Sequence, residues 1–380
     1  MWQNKRAIFA ERLFDGRGWR DDTAVLVEDG RILAVVRRKD VPAACEQDRL
    51  PEGAFLAPGF IDLQVNGGGG VLLNDDPSAD AMRAIARAHR PFGTTALLPT
   101  LITDTRETMK TAIAAAREAS ARDGVLGLHL EGPFLNSARA GVHRKDVIAQ
   151  AEMGDLEWMG RLADLPHAVI TLAPECVPPG FIGALCAKGI RVSAGHSEAS
   201  AEIMLRAMQE GLTGITHLFN AMPPLSGRAP GIIGTALSEK PLIAGIIVDG
   251  LHVDPVSIRA AFAAKGADGI ALVTDAMPSV GADVREFDLL GTTIFLREGR
   301  LVTDAGTLAG AHLDMASAVR NAVQLAGIAL QDALISASRT PARFLGIEDR
   351  GAIAPGARAD LVALTDDLMP AAVWLGGVPA

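Results

Sequence analysis

The 380 residues are 49% hydrophobic and 21% charged, which describes a soluble, enzyme-sized chain with material for one large core, or one large and one small. A formal net charge of -9 argues against nucleic acid and anionic membranes as partners, so an anionic substrate needs a local cationic pocket. Three cysteines, Cys45, Cys176 and Cys186, form no CxxC pair and read as reduced thiols of a cytoplasmic protein. Met1 to Arg6 lead into no signal-peptide core, and no apolar run reaches the roughly 20 residues of a membrane span.

Near the N-terminus, Ala24–Glu28 and Arg31–Val36 flank Asp29-Gly30, a hairpin signal. Eight short apolar runs follow: Phe60–Val65, Thr95–Pro99, Val125–Leu130, Val169–Ala173, Ile190–Ala194, Thr213–Leu218, Ile243–Val248 and Ile270–Thr274. Between them lie Ala-rich segments with charges on a helical period, such as Ala79–Arg90, Arg106–Arg122, Ala199–Glu210 and Pro255–Lys265. Runs without polar alternation, separated by helices, predict parallel strands buried on both faces. Eight such units match a (β/α)8 barrel of the α/β class; a doubly wound open sheet is the alternative. At the C-terminus, Ala359–Thr365 and Ala372–Leu375 read as strands again. The predicted organisation is a small β domain shared by residues 1–56 and 351–380, around a barrel spanning 57–350.

Asn66, Glu131, Glu175, His196, His217, Asp249 and Asp275 fall at or just beyond the C-terminal ends of their runs, the rim where barrel active sites sit. One such residue is readily explained as a helix cap; a whole set rich in histidine and glutamate is not. Glu131, His196 and His217 together suit Zn2+ or Fe2+ and leave a coordination position for water, although either histidine alone reads as a core residue. Asp275 is the natural general base. Arg228, His252 and His143 are cationic or polarising candidates on loops. His89, His129, His167 and His312 receive no role, with His129 expected to point into the barrel.

At these residues the chain resembles the N-acetylglucosamine-6-phosphate deacetylase family of the amidohydrolase superfamily. The resemblance runs over nearly the whole sequence. It is carried by Ala57-Pro58-Gly59-Phe60-Ile61-Asp62, His129-Leu130-Glu131-Gly132-Pro133-Phe134-Leu135-Asn136 and Gly195-His196-Ser197. Thr216-His217-Leu218-Phe219-Asn220-Ala221-Met222 and Val248-Asp249-Gly250-Leu251-His252 complete it. The resemblance implies a barrel with a small β-sandwich built from both termini, a homodimer, and metal-dependent deacetylation of a phosphorylated N-acetyl amino sugar. It assigns Glu131, His196 and His217 to the metal, Asp275 to acid/base work and His143 to the acetamide carbonyl. Val142, Asn220, Ala221, Asp249 and His252 would lie around the substrate, with Arg228 reaching in from the partner subunit and Leu308-Ala309-Gly310 closing over the sugar.

One departure matters. Where many amidohydrolases carry His-x-His after the first barrel strand, this chain reads Gln64-Val65-Asn66. Neither side chain is an imidazole, so one divalent metal per subunit is expected, Zn2+ foremost, rather than two. The rival readings are the same chemistry on N-acetylgalactosamine 6-phosphate, a cyclic-amidase-like amidohydrolase, and an inactive barrel serving as a scaffold subunit. Glu175 at the end of the fourth run, where a lysine would be needed, weighs against a carbamylated dinuclear centre.

Overall fold

Segments buried on both faces need no polar alternation, and the barrel strands show this directly. Every residue of Phe60–Val65, Thr94–Ile102 and Gly127–Glu131 is buried. In the computed structural model, which describes residues 5–120 and 123–380, these three strands are followed by His167–Leu172, Arg191–Ala194, Gly214–Ile215, Ile243–Ile247 and Ile270–Val273 in one parallel sheet. The seam between the first and eighth strands is bridged at Val65 and Ala276. Asp275 N donates to Gln64 O at 3.0 Å and Asn66 N to Ala276 O at 2.9 Å. The sheet therefore closes into a barrel, and the open doubly wound alternative is excluded.

The crossover helices start at side-chain caps. Ser78 precedes Ala79–His89, Thr105 precedes Arg106–Ala119, Ser200 precedes Ala201–Gln209, and Asp254 precedes Pro255–Lys265; each side chain accepts from a backbone N–H left unpaired in the first turn. The last two positions of the segment predicted to 122, and residues 1–4 of the N-terminal reading, lie outside the described residues. No helix among the described residues is long and apolar enough to cross a membrane.

Both termini build a single mixed sheet. It contains Arg6–Phe14, Trp19–Glu28, Arg31–Arg37, Glu46–Arg49 and Phe55–Pro58 from one end, with Leu361–Leu364, Pro370–Leu375 and Val378–Pro379 from the other. Ile32 N donates to Ala357 O, and Gly356 N to Ile32 O, both at 2.8 Å, so the sheet curls back on itself as a small sandwich. It encloses its own core of Ile8, Leu13, Val25, Leu56, Leu361 and Trp374. The Asp29-Gly30 turn has positive φ at both positions, the conformation a two-residue hairpin requires.

A three-stranded antiparallel insert, Glu286–Leu289, Thr292–Arg297 and Arg300–Thr303, follows the eighth strand. Leu289, Ile294, Leu301 and Ala309 pack with Ile102 and Met277 from the barrel rim. Ala309 N donates to Leu301 O at 3.1 Å, which hangs the 308–310 loop on the insert.

Candidate active site

Glu131 ends its strand, His196 and His217 follow theirs by two residues, and the three converge at the rim. His196 Nε2 lies 3.0 Å and His217 Nε2 2.9 Å from Glu131 Oε1, and the two Nε2 atoms are 3.0 Å apart. All three residues are buried. A carbonyl can only accept, so the 2.8 Å contact from His196 Nδ1 to Arg139 O puts the His196 proton on Nδ1. Its Nε2 lone pair then faces a carboxylate oxygen and a second imidazole, an arrangement that needs a cation in its midst. In a metal-free chain a proton must do that work. Burial alone would lower the His217 imidazole, but the hydrogen bond to Glu131 and its charge raise it. Three mutually adjacent ligand atoms of this hardness fit one divalent ion.

His143 also comes near. One of its ring nitrogens lies within 4.8 Å of a ligand atom of Glu131 and of His196, with ring centroids of His143 and His196 4.4 Å apart. The Glu131–His196–His217 triangle is tighter, and His143 is held elsewhere. Thr103 N donates to His143 Nδ1 at 3.3 Å and Thr103 Oγ1 lies 2.8 Å from it. An accepting Nδ1 leaves the proton on Nε2. Burial, with the charge of His196, pushes the His143 pKa down to about 3, so at neutral pH the ring is an uncharged donor.

Asp275 stands opposite, beyond the eighth strand. Its Oδ1 accepts from Asn66 Nδ2 at 2.7 Å and Gln64 Nε2 at 3.1 Å, and Gln64 Nε2 also reaches Glu131 Oε2 at 3.1 Å. The Gln64 and Asn66 amides thus orient carboxylates, which the sequence reading treated only as a missing pair of ligands. Burial, and then the charge of Glu131, raise the Asp275 pKa to about 6. Behind it, Asp62 accepts from Thr274 Oγ1 at 2.5 Å and from Gln64 N at 3.2 Å.

Backbone conformation at the rim is unusual. His196, His217 and Asp275 have φ of 49°, 30° and 52°, a left-handed region costly for residues other than glycine and concentrated at functional sites. Gly195 is glycine for a separate reason. A Cβ there would come within 2.8 Å of Thr171 and 2.9 Å of Thr216, so only a bare backbone passes between the neighbouring strands.

The cleft above these groups encloses about 640 Å3 of space, part of it open solvent. Val142, Asn220, Ala221, His252, Leu308 and Gly310 line it, together with Ile102, Ile247 and Met277, which the sequence reading missed. Ala309 faces away into the insert's core. Asp249 sits one step behind the wall, its Oδ2 2.6 Å from His252 Nδ1. Arg228 lies outside the cleft, in a run of exposed residues from Pro224 to Pro230. No lysine or arginine is among the described residues lining the cleft. His129 points into the barrel, where its Nδ1 donates to Leu63 O at 2.9 Å and its Nε2 lies 2.8 Å from Thr171 Oγ1.

Comparison with known proteins agrees with this geometry. The profile of the Amidohydrolase family matches residues 55–379. The chain is 43% identical over 362 residues, 93% of its length and 90% of the relative's, to N-acetylgalactosamine-6-phosphate deacetylase of Shewanella sp. (strain ANA-3). It is 35% identical over 350 residues, 90% of its length and 91% of the relative's, to N-acetylglucosamine-6-phosphate deacetylase of Haemophilus influenzae. The crystal structure of N-acetylglucosamine-6-phosphate deacetylase from Pasteurella multocida superposes with a TM-score of 0.95 at 36% identity, covering 99% of both chains.

Proposed function

From the premise that the chain belongs to the amidohydrolase family and is a hydrolase, we propose that it removes the acetyl group from an N-acetyl amino sugar 6-phosphate with a single divalent metal. The observation that carries this reading is the Glu131–His196–His217 triangle facing the Asp275 carboxylate across one cleft. Glu131, His196 and His217 would hold the ion, Zn2+ as first choice; when bound, it supplies an activated water and a Lewis acid for an amide carbonyl.

The chain's own residues do the rest. Asp275, its Oδ1 pinned by Gln64 and Asn66, keeps Oδ2 to take a proton from the attacking water and return it to the leaving nitrogen. His143, neutral with its proton on Nε2, donates to the acetamide oxygen as charge develops there. A phosphate dianion on a chain of net charge -9 needs local help. His252, held by Asp249, is one candidate. The other is Arg228 on its exposed loop, contributed by a second copy in a homodimer. Leu308 and Gly310 would cover the sugar. Gln64 and Asn66 donate to carboxylates where a second ion's imidazoles would stand, which supports one metal per subunit.

N-acetylglucosamine 6-phosphate is the first reading for the substrate. The galacto epimer is the second, favoured by the 43% identity to the Shewanella relative. Acetate release from both phosphorylated epimers and from unphosphorylated N-acetylglucosamine separates these readings. Fast turnover of the gluco epimer is the expected result. Preference for the galacto epimer would keep the chemistry and change the substrate, and no turnover of either phosphorylated sugar by metal-loaded protein would refute the proposal.

A further inference from the structure

We propose that Glu175 is a positioning residue that fixes the metal ligand His196 by clamping the loops on either side of it. The inference rests on the metal reading above. Glu175 ends the fourth barrel strand's run but touches neither the cleft nor the ligand triangle. Its carboxylate instead gathers three donors from two neighbouring loops. Oε1 accepts from Glu198 N at 2.6 Å and Asn136 Nδ2 at 3.0 Å, and Oε2 accepts from Ser197 Oγ at 2.7 Å. Ser197 and Glu198 are the two residues after His196, and Asn136 heads the loop that holds the His196 ring and backbone. Asn136 N donates to His196 O at 2.9 Å, His196 Nδ1 donates to Arg139 O at 2.8 Å, and the Arg139 guanidinium meets Glu198 at 3.1 Å.

The arrangement has a reason. His196 sits at φ 49°, a conformation the chain would relax from if nothing held it. Relaxation would swing the imidazole off the point where Glu131 Oε1 and His217 Nε2 meet, and would loosen the Arg139 carbonyl that fixes its tautomer. A carboxylate at position 175 accepts from both loops at once and so locks the ligand before any ion arrives. Partners that orient metal ligands carry weight comparable to the ligands themselves. The fourth strand's end, a ligand position in other amidohydrolases by the sequence argument, here serves the ligand beside it.

The test is Zn2+ affinity, measured by chelator competition, on the full chain and on Glu175→Ala, Glu175→Gln, Ser197→Ala and the Glu175→Ala/Ser197→Ala double variant. Glu175→Ala should weaken Zn2+ binding by about 10–100-fold, while KM measured at saturating Zn2+ stays at the wild-type value. Glu175→Gln should recover most of the affinity, since its oxygen still accepts the two N–H donors and its NH2 can donate to Ser197 Oγ. Ser197→Ala should fall between, and should add nothing in the Glu175→Ala background, the signature of one shared network. Wild-type Zn2+ affinity in folded Glu175→Ala overturns the inference, as does a loss that the glutamine does not restore. Should Glu175→Ala not fold, Ser197→Ala decides, and unchanged affinity there refutes the clamp. Failure of the wild-type chain to bind Zn2+ or any other divalent ion would instead refute the metal reading beneath it.

Discussion

Asp275 shows how much a single carboxylate depends on what faces it. Two amides hold its Oδ1, and burial beside Glu131 raises its pKa to about 6. As general base it must be ionised, so kcat/KM should fall as pH drops through that value, or through a lower one once a dication is bound nearby. Asp275→Asn should reduce kcat by about 10²–10⁴-fold with metal content unchanged by elemental analysis; lost metal would make Asp275 a ligand. Asn66 donates to the charged form and so lowers the Asp275 pKa. Asn66→Leu should therefore move the acid limb of the pH profile upward, and an unmoved limb would show that Asn66 does not set the base. Residue identities at this scale were legible only as a set, because a cluster of histidines and glutamates at strand ends is not explained by helix capping. The left-handed φ at His196, His217 and Asp275 was not, since nothing local in a non-glycine residue announces it.

At the scale of elements, all eight barrel strands were readable from their apolar runs, and helices between them from composition and period. The insert at 286–303 was not, because its strands mix buried and exposed positions, as at Glu286–Leu289 and Thr292–Arg297. Such a pattern resembles loop until a partner sheet is known. The barrel seam was also invisible to sequence. There Asp62 on the first strand accepts from Thr274 on the eighth, and burial raises the Asp62 pKa to about 7. An unfolded aspartate ionises near 3.9. The folded chain therefore keeps a proton that the unfolded chain has lost, and stability falls as pH rises from about 4 to about 7, by at most roughly 1.4 kcal/mol per pH unit. Asp62→Asn, neutral and of the same shape, should remove that component from the pH dependence of unfolding measured in denaturant. An unchanged slope would place the charge elsewhere.

The whole molecule is acidic, yet its proposed substrate is a dianion, and its cleft carries no lysine or arginine among the described lining residues. Arg228 on its exposed loop answers this if two copies share their sites. Asp275→Asn and Arg228→Ala homodimers, each impaired, should regain activity when mixed and allowed to exchange subunits, because one hybrid site then combines an intact Asp275 with the other copy's Arg228. No regain despite demonstrated exchange would confine Arg228 to its own subunit. The claim on which everything else stands is the single ion at Glu131, His196 and His217. Its direct measurement is a titration of metal-stripped protein with Zn2+, following bound metal and acetate release together. Activity should rise linearly and stop at one equivalent per chain; a rise that continues to two equivalents, or turnover without any metal, would contradict a single catalytic ion.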